Sequence, residues 1–345
     1  MYRIAINGYG RIGRSIFRAL YERQCSGQDL DMQITAINEP ADAETILHLT
    51  RFDSTHGRFP APIELEKQQL KFNNQVIQLS HYQAIDQIKW PQIDLVMECS
   101  GVITDNASAF QHLQQGAKRV LFSNPATPDV DRTVVMGVNE QALCATDRIL
   151  SNASCTTNAS VPILALIDQH LGIEAVSITT IHSAMNDQPV IDAYHNTDLR
   201  KTRSASQSMI PVDTALAKGI GRFLPHLQDC ISAQAIRIPT VNVSAMDICI
   251  QLKQKASVAA INTLLLEAAN EKPSILGFNA QPLASIDFNH QAHSCIIDST
   301  QTRLSGEKLL KLFIWFDNEW SFAHRMLDVA AFIQQTLKDN DDTSD

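Results

Sequence analysis

Cys155 and His182 are the two side chains in this 345-residue sequence whose types and placement best fit covalent chemistry. Cys155 stands in Ser151-Asn152-Ala153-Ser154-Cys155-Thr156-Thr157-Asn158, ahead of a helix-periodic apolar segment from Val161 to Leu171. That setting puts the thiol in the first turn of a helix, where free N–H groups and the helix dipole favour a thiolate. The Ser, Thr and Asn residues around it suit helix capping. His182 closes the strand-like run Val176-Ser177-Ile178-Thr179-Thr180-Ile181. If that strand returns beside the helix start, imidazole meets thiol, and the pair is a nucleophile with its base. A lone cysteine is more commonly a small buried hydrophobe. Polar neighbours on both sides of Cys155 fit that role poorly.

Two domains must carry these groups, and the chain is long enough for both to have cores. Residues 2–7 form an apolar strand pattern leading into Gly8-Tyr9-Gly10-Arg11-Ile12-Gly13, followed by Ile16, Phe17, Leu20 and Tyr21 at helical spacing. This is the G-x-G-x-x-G fingerprint in its strand–turn–helix setting, with a pyrophosphate expected on the helix N-terminus. Gly8, Gly10, Arg11, Ile12 and Gly13 are therefore candidate cofactor contacts. A second strand, residues 32–37, ends at Asn38-Glu39. An acid there accepts from ribose hydroxyls and repels a 2′-phosphate, which favours NAD over NADP. The offset from Gly13 to Glu39 exceeds the usual ~20 residues, which a longer loop over 25–31 explains.

Asp94–Gly101 and Lys118–Asn124 read as further strands and turns with a helix between them up to Gln115. The alternation through residue 150 predicts a doubly wound, mostly parallel α/β sheet of Rossmann type. Ligands to such sheets sit at the carboxyl ends of strands, which adds Gly101 and Ser123 to the candidates.

After Cys155 the strand-like runs lengthen to Val176–His182, Ile231–Ile238, Val241–Lys253, His293–Asp298 and Leu309–Phe316. They predict an α+β domain with a large, mostly antiparallel sheet. A polar stretch between His182 and Pro211 holds Arg200, Lys201 and Arg203, and loops of this length are usually functional or disordered. The expected division is 1–154 with 319–345, and 155–318. Met326, Leu327, Phe332 and Ile333 mark a final helix that packs back on the first domain, before an acidic, disordered tail over Asp339–Asp345.

A formal charge of −9 disfavours nucleic acid as a partner. No run of about 18 apolar residues suggests a membrane span. The N-terminus enters a strand pattern directly, without a signal-peptide layout, so a cytoplasmic protein is expected. Seven scattered cysteines with no C-x-x-C pair argue against a disulfide framework and a structural zinc site.

Three motifs together carry a resemblance. Ile6-Asn7-Gly8-Tyr9-Gly10-Arg11-Ile12-Gly13-Arg14, Ser151–Asn158 and Trp315-Phe316-Asp317-Asn318-Glu319-Trp320 resemble those of the glyceraldehyde-3-phosphate dehydrogenase superfamily. Asn38–Ala43, Ile181–Gln188 and Ser206–Thr214 make the sequence most similar to its erythrose-4-phosphate dehydrogenase branch.

The resemblance implies that Cys155 is the nucleophile, His182 its base, and Asn318 the contact to the nicotinamide carboxamide. It places Phe322 beside that ring. Ser154, Thr156, Lys201, Thr214 and Arg237 are implied substrate contacts. It further implies NAD as cofactor, a sugar-phosphate aldehyde as substrate, release of the acid by water, and a homotetramer. Three residues depart from the glycolytic pattern, the last two at positions that help hold phosphate in those enzymes. Ala159 follows Asn158 where Cys is usual, Met185 replaces a Thr, and Ala215 replaces a Gly. Lys201 stands where Arg is usual, and a point-charge ammonium does not reproduce a guanidinium fork. The alternatives are a phosphorylating glyceraldehyde-3-phosphate dehydrogenase and, in another class, a non-catalytic NAD-binding or thiol redox-sensor protein.

Overall fold

The computed structural model describes residues 1–28, 30–195 and 198–342. It divides into two units, Met1–Ser154 with Phe322–Asp345, and Cys155–Ser321.

The first unit is built on the strand Tyr2–Asn7. Its sheet runs in the order Arg132–Thr133, Ile149–Ser151, Arg119–Phe122, Leu95–Glu98, Tyr2–Asn7, Met32–Asn38, Gln75–Ser80, Gln69–Phe72, Glu64–Glu66. The first seven run parallel to one another. Central strands of such a sheet are covered on both faces and read as continuous apolar runs. Ile4, Ala5, Ile6, Leu95, Val96 and Met97 are accordingly all sealed from solvent. The chain winds outward in opposite directions from either side of Tyr2–Asn7, so the topological switch point lies there.

The strand–helix alternation does not extend through the whole of residues 2–150. The strands Gln69–Phe72 and Gln75–Ser80 are antiparallel, and so are Glu64–Glu66 and Gln69–Phe72. Asn73 and Asn74, at φ 44° and 62°, make the two-residue turn between the first pair. Two left-handed residues in succession match strand twist, and Asn tolerates them. Phe72 and Phe59 from this region meet Phe17 of the helix Arg11–Cys25 at ring separations of 5.5 and 5.3 Å. That helix stops at Cys25 and the next strand begins at Met32, which explains the long Gly13-to-Glu39 offset.

The helix Trp320–Asp342 buries Phe322, Met326, Leu327, Val329 and Ile333, and its Asp328 pairs with Arg23. It also runs through residues 339–342, so the acidic tail expected there is helical. Residues 343–345 lie outside the described residues. Among the described residues no helix is long and apolar enough to cross a membrane.

The second unit holds a sheet in the order Ile210–Val212, Ile231–Arg237, Ile173–His182, Ser244–Leu252, Leu309–Phe316, Cys295–Asp298, Leu276–Asn279, with Arg303–Ser305 also on Leu309–Phe316. Two of its pairings are parallel and the rest antiparallel. The strand expected from Val241 starts only at Ser244, because Val243 turns the backbone to φ 66°. The register sets His182 directly beside Arg237 on neighbouring strands.

Candidate active site

The helix Cys155–Leu171 begins at the thiol, two residues after Ala153, a buried residue held at φ 54°. Gly172, at φ 66°, reverses the chain at the far end, as glycine does after a helix. The 17-residue helix is ~25 Å long and the 10-residue strand Ile173–His182 ~30 Å, so the strand retraces the helix. It brings His182 Nε2 to 4.0 Å from Cys155 Sγ. His182 Nδ1 lies 2.8 Å from the carbonyl of Ser183. A carbonyl only accepts, so Nδ1 carries the proton and Nε2 turns its lone pair toward the sulfur.

The charge state differs from the one the helix start alone suggests. Burial pushes the Cys155 thiol up to about 11, outweighing the N–H groups of Thr156 and Cys155 that pull it down. Burial likewise lowers His182 from its ordinary value, assisted by Arg237 and opposed by the Ser183 carbonyl, Asp187 and Glu319. The resting pair is a thiol beside a neutral imidazole, not a standing thiolate. Dipole and N–H groups favour an anion, but desolvation at this partly enclosed site is the larger effect.

Beside the pair lies a group of charges. Arg237 and Lys201 both bind Asp187, one to each carboxylate oxygen, with Lys201 Nζ at 3.0 Å. Burial raises the Asp187 carboxyl, but hydrogen bonds and charge from Arg237 and Lys201 prevail and hold it below its usual value. Two cations on one carboxylate leave net positive charge, suited to a small anion. Asp187 was not singled out from the sequence; its position five residues beyond His182 was the available signal. Thr214 Oγ1 accepts from the N–H of Leu216 at 3.2 Å, which keeps the hydroxyl hydrogen available. Thr156 stands in the first turn beside Cys155, and Ser154 ends the first unit.

A cavity of about 370 Å³ opens in the first unit at the switch point, lined by Gly8, Gly10, Asn38, Glu39, Tyr82 and Ser100 among others. Gly8 has φ 87°, and a Cβ there would stand 2.4 Å from the nitrogen of Ser100. A Cβ on Gly13 would meet the carbonyl of Gly8 at 2.5 Å. Helices starting at Ala43, Asn106 and Val258 are capped by Asp42, Asp105 and Ser257. The helix Arg11–Cys25 has Gly10 as its N-cap, with no side-chain cap and no acid in its first turn. Its leading N–H groups, including those of Arg11 and Ile12, thus suit a pyrophosphate.

The Arg11 side chain is turned to Asp53. Burial raises the Asp53 carboxyl, but the N–H groups of His56 and Thr55 together with Arg11 bring it down to about 2. Glu39 accepts from the N–H of Tyr9 at 2.7 Å, tying the end of the second strand to the glycine turn. Gly101, at φ 73°, follows Ser100 of the lining, and the Ser123 hydroxyl is bonded to Cys99. The residues present fit NAD. Gly8→Ala is expected to weaken NAD binding at least tenfold through the backbone clash; calorimetric titration giving an unchanged Kd would refute this cradle.

Asn318 lies in the second unit. Its Oδ1 accepts from Ser183 Oγ at 3.0 Å and Ser244 Oγ at 2.9 Å.

Strand order and glycine cradle define a dinucleotide-binding protein. The family follows from two matches. Residues 2–106 match the model described as glyceraldehyde 3-phosphate dehydrogenase, NAD binding domain, and residues 154–318 the one described as glyceraldehyde 3-phosphate dehydrogenase, C-terminal domain. The chain belongs to the glyceraldehyde 3-phosphate dehydrogenase family, and is an NAD-dependent oxidoreductase.

Proposed function

We propose that the protein oxidises D-erythrose 4-phosphate to 4-phospho-D-erythronate in the cytoplasm, with Cys155 as nucleophile and His182 as base. The observation that carries this reading is the Cys155–His182 approach, with Arg237 and Lys201 nearby for a phosphorylated substrate. Bound NAD supplies the hydride acceptor. Gly8, Gly10, Arg11, Ile12, Gly13, Asn38, Glu39, Gly101 and Ser123 serve its dinucleotide end, and Asn318 its carboxamide.

Cys155 sulfur bonds to the aldehyde carbon as His182 Nε2 takes the thiol proton, which passes to the new oxyanion to complete a thiohemiacetal. The N–H of Cys155 steadies that oxyanion, worth roughly 3–4 kcal/mol for a well-placed donor. His182 then removes the hydroxyl proton while the C–H bond breaks with its electron pair, leaving a thioester on Cys155. His182 gives up that proton to solvent. The neutral imidazole then deprotonates a water that adds to the thioester carbon, and the acid departs as the sulfur takes the proton back from His182.

Four-carbon selectivity and hydrolytic release rest on the altered phosphate surroundings. Met185 presents a thioether where a hydroxyl would donate, Lys201 a point charge, and Ala215 a helix start without a side-chain cap. The test is NADH formation from three- and four-carbon phosphorylated aldehydes, each with and without inorganic phosphate. Faster turnover of erythrose 4-phosphate, independent of phosphate, is the expected result. Absolute dependence on phosphate would instead support the phosphorylating reading. A thiol pushed up to about 11 weighs against a redox sensor, which needs a readily formed thiolate.

Val190, Ile191, Leu199 and Met209 are all largely exposed and Tyr194 fully so, an apolar surface that supports self-association. As the proposed homotetramer, the protein should sediment at four times its 38.2 kDa chain mass, and a monomer at micromolar concentration would exclude it.

A further inference from the structure

We infer that Ser183 and Ser244 are positioning residues that lock the Asn318 amide with its NH₂ group turned outward, toward the nicotinamide carboxamide. This rests on the assignment of Asn318 to the cofactor made above.

Both hydroxyls are sealed from solvent, Ser183 completely and Ser244 to 1%. Ser244 Oγ receives the N–H of Ser183 at 3.2 Å, so one of its lone pairs is occupied and its own hydrogen needs an acceptor. Asn318 Oδ1 is that acceptor, and it is also the acceptor for the Ser183 hydroxyl. Rotating the amide by half a turn would set NH₂ against two hydroxyls. Two O–H groups sealed from solvent would then lose their acceptor. Unmade bonds of buried donors cost more than made ones contribute. The oxygen therefore faces inward, and the NH₂ group has no partner among the described residues. An outward donor selects the carbonyl oxygen of a carboxamide and disfavours its NH₂ end.

The strand pairing builds the arrangement. Ser244 opens its strand directly opposite Phe316, and Asn318 follows Phe316 by two residues. The Phe316 ring lies edge-on to the His182 ring, with centroids 6.5 Å apart. Ser183 is the joint of the system. Its carbonyl holds His182 Nδ1, its N–H reaches Ser244, and its hydroxyl reaches Asn318. One residue thus fixes the tautomer of the proposed base and the aim of the proposed cofactor anchor. The first task uses the backbone and the second the side chain, so mutation separates them.

The experiment compares calorimetric Kd values for NAD and for adenosine diphosphate ribose, which lacks the nicotinamide, in the full-length protein. Their ratio isolates what the nicotinamide end contributes. Ser183→Ala and Ser244→Ala are expected to shrink that ratio by roughly three- to tenfold each, leaving the affinity for adenosine diphosphate ribose as it was. Iodoacetamide alkylation of Cys155 should keep its pH profile in Ser183→Ala, since the carbonyl to His182 remains; a general loosening of the site would move it. Asn318→Ala is the control. If it shrinks the ratio and neither serine variant does, the clamp is refuted while the cofactor assignment stands. If Asn318→Ala leaves the ratio unchanged, the assignment of Asn318 fails and takes the clamp with it.

Discussion

Cys155→Ala is expected to lower kcat by on the order of 10⁴–10⁶-fold, with NAD affinity unchanged. The size of the loss follows from what the sulfur does. In the proposed mechanism the sulfur forms the carbon bond from which hydride departs, and its thioester then stores the oxidised carbon. The glycine cradle belongs to the other unit and does not use this side chain, so binding survives. Rapid quenching of the wild-type enzyme during turnover should give intact chains heavier by the acyl group, with the addition mapped to Cys155. A fully turning-over enzyme that never carries this mass, or an alanine variant with a few per cent of activity, would refute the covalent route.

His182→Asn is expected to cost about 10²–10⁴-fold at pH 7, the usual contribution of a positioned base. Its pH dependence is the sharper test. His182 is lowered from its ordinary 6.5, so it is neutral at pH 7 and charges only on further acidification. The acid limb of wild-type kcat/KM therefore falls below pH 6.5, where protonation removes the lone pair. Cys155 is raised to about 11, so the resting thiolate fraction is small at pH 7 and grows through the alkaline range. In the Asn variant the acid limb should vanish and the rate should follow thiolate alone, climbing steeply above pH 9. Iodoacetamide should react with free wild-type Cys155 along the same alkaline rise. A wild-type alkylation midpoint at or below pH 7 would mean a standing thiolate and reverse the charge assignment.

How much of this could be read from the chain depends on how local each feature is. The glycine turn, the thiol at a helix start and the imidazole at a strand end each lie within a short run, and each appears where its run implies. Gly8 is limited by atoms of Ser100, far along the sequence, but the demand for a residue without Cβ is visible at Gly8 itself. The antiparallel strands of residues 64–80 lay outside the alternation pattern, although Asn73-Asn74 carried the turn signal. Asp187, Ser183 and Ser244 acquire their roles only when strand register sets them against Arg237 and Asn318, which no local pattern announces. The charge state of Cys155 was hardest to read, because helix position and enclosure push it in opposite directions. Only the folded surroundings show that enclosure wins.

The first unit is discontinuous: its sheet is encoded at the start of the chain and its last helix at the very end. On a ribosome, the glycine turn and its strands emerge early but wait for the whole of the second unit before Phe322, Met326 and Leu327 arrive to cover them, and before Asp328 reaches Arg23. Nascent chains halted upstream of Phe322 would thus expose an apolar face that the finished protein hides. They should recruit holding chaperones and succumb to protease, even though every residue of the glycine cradle has already been made.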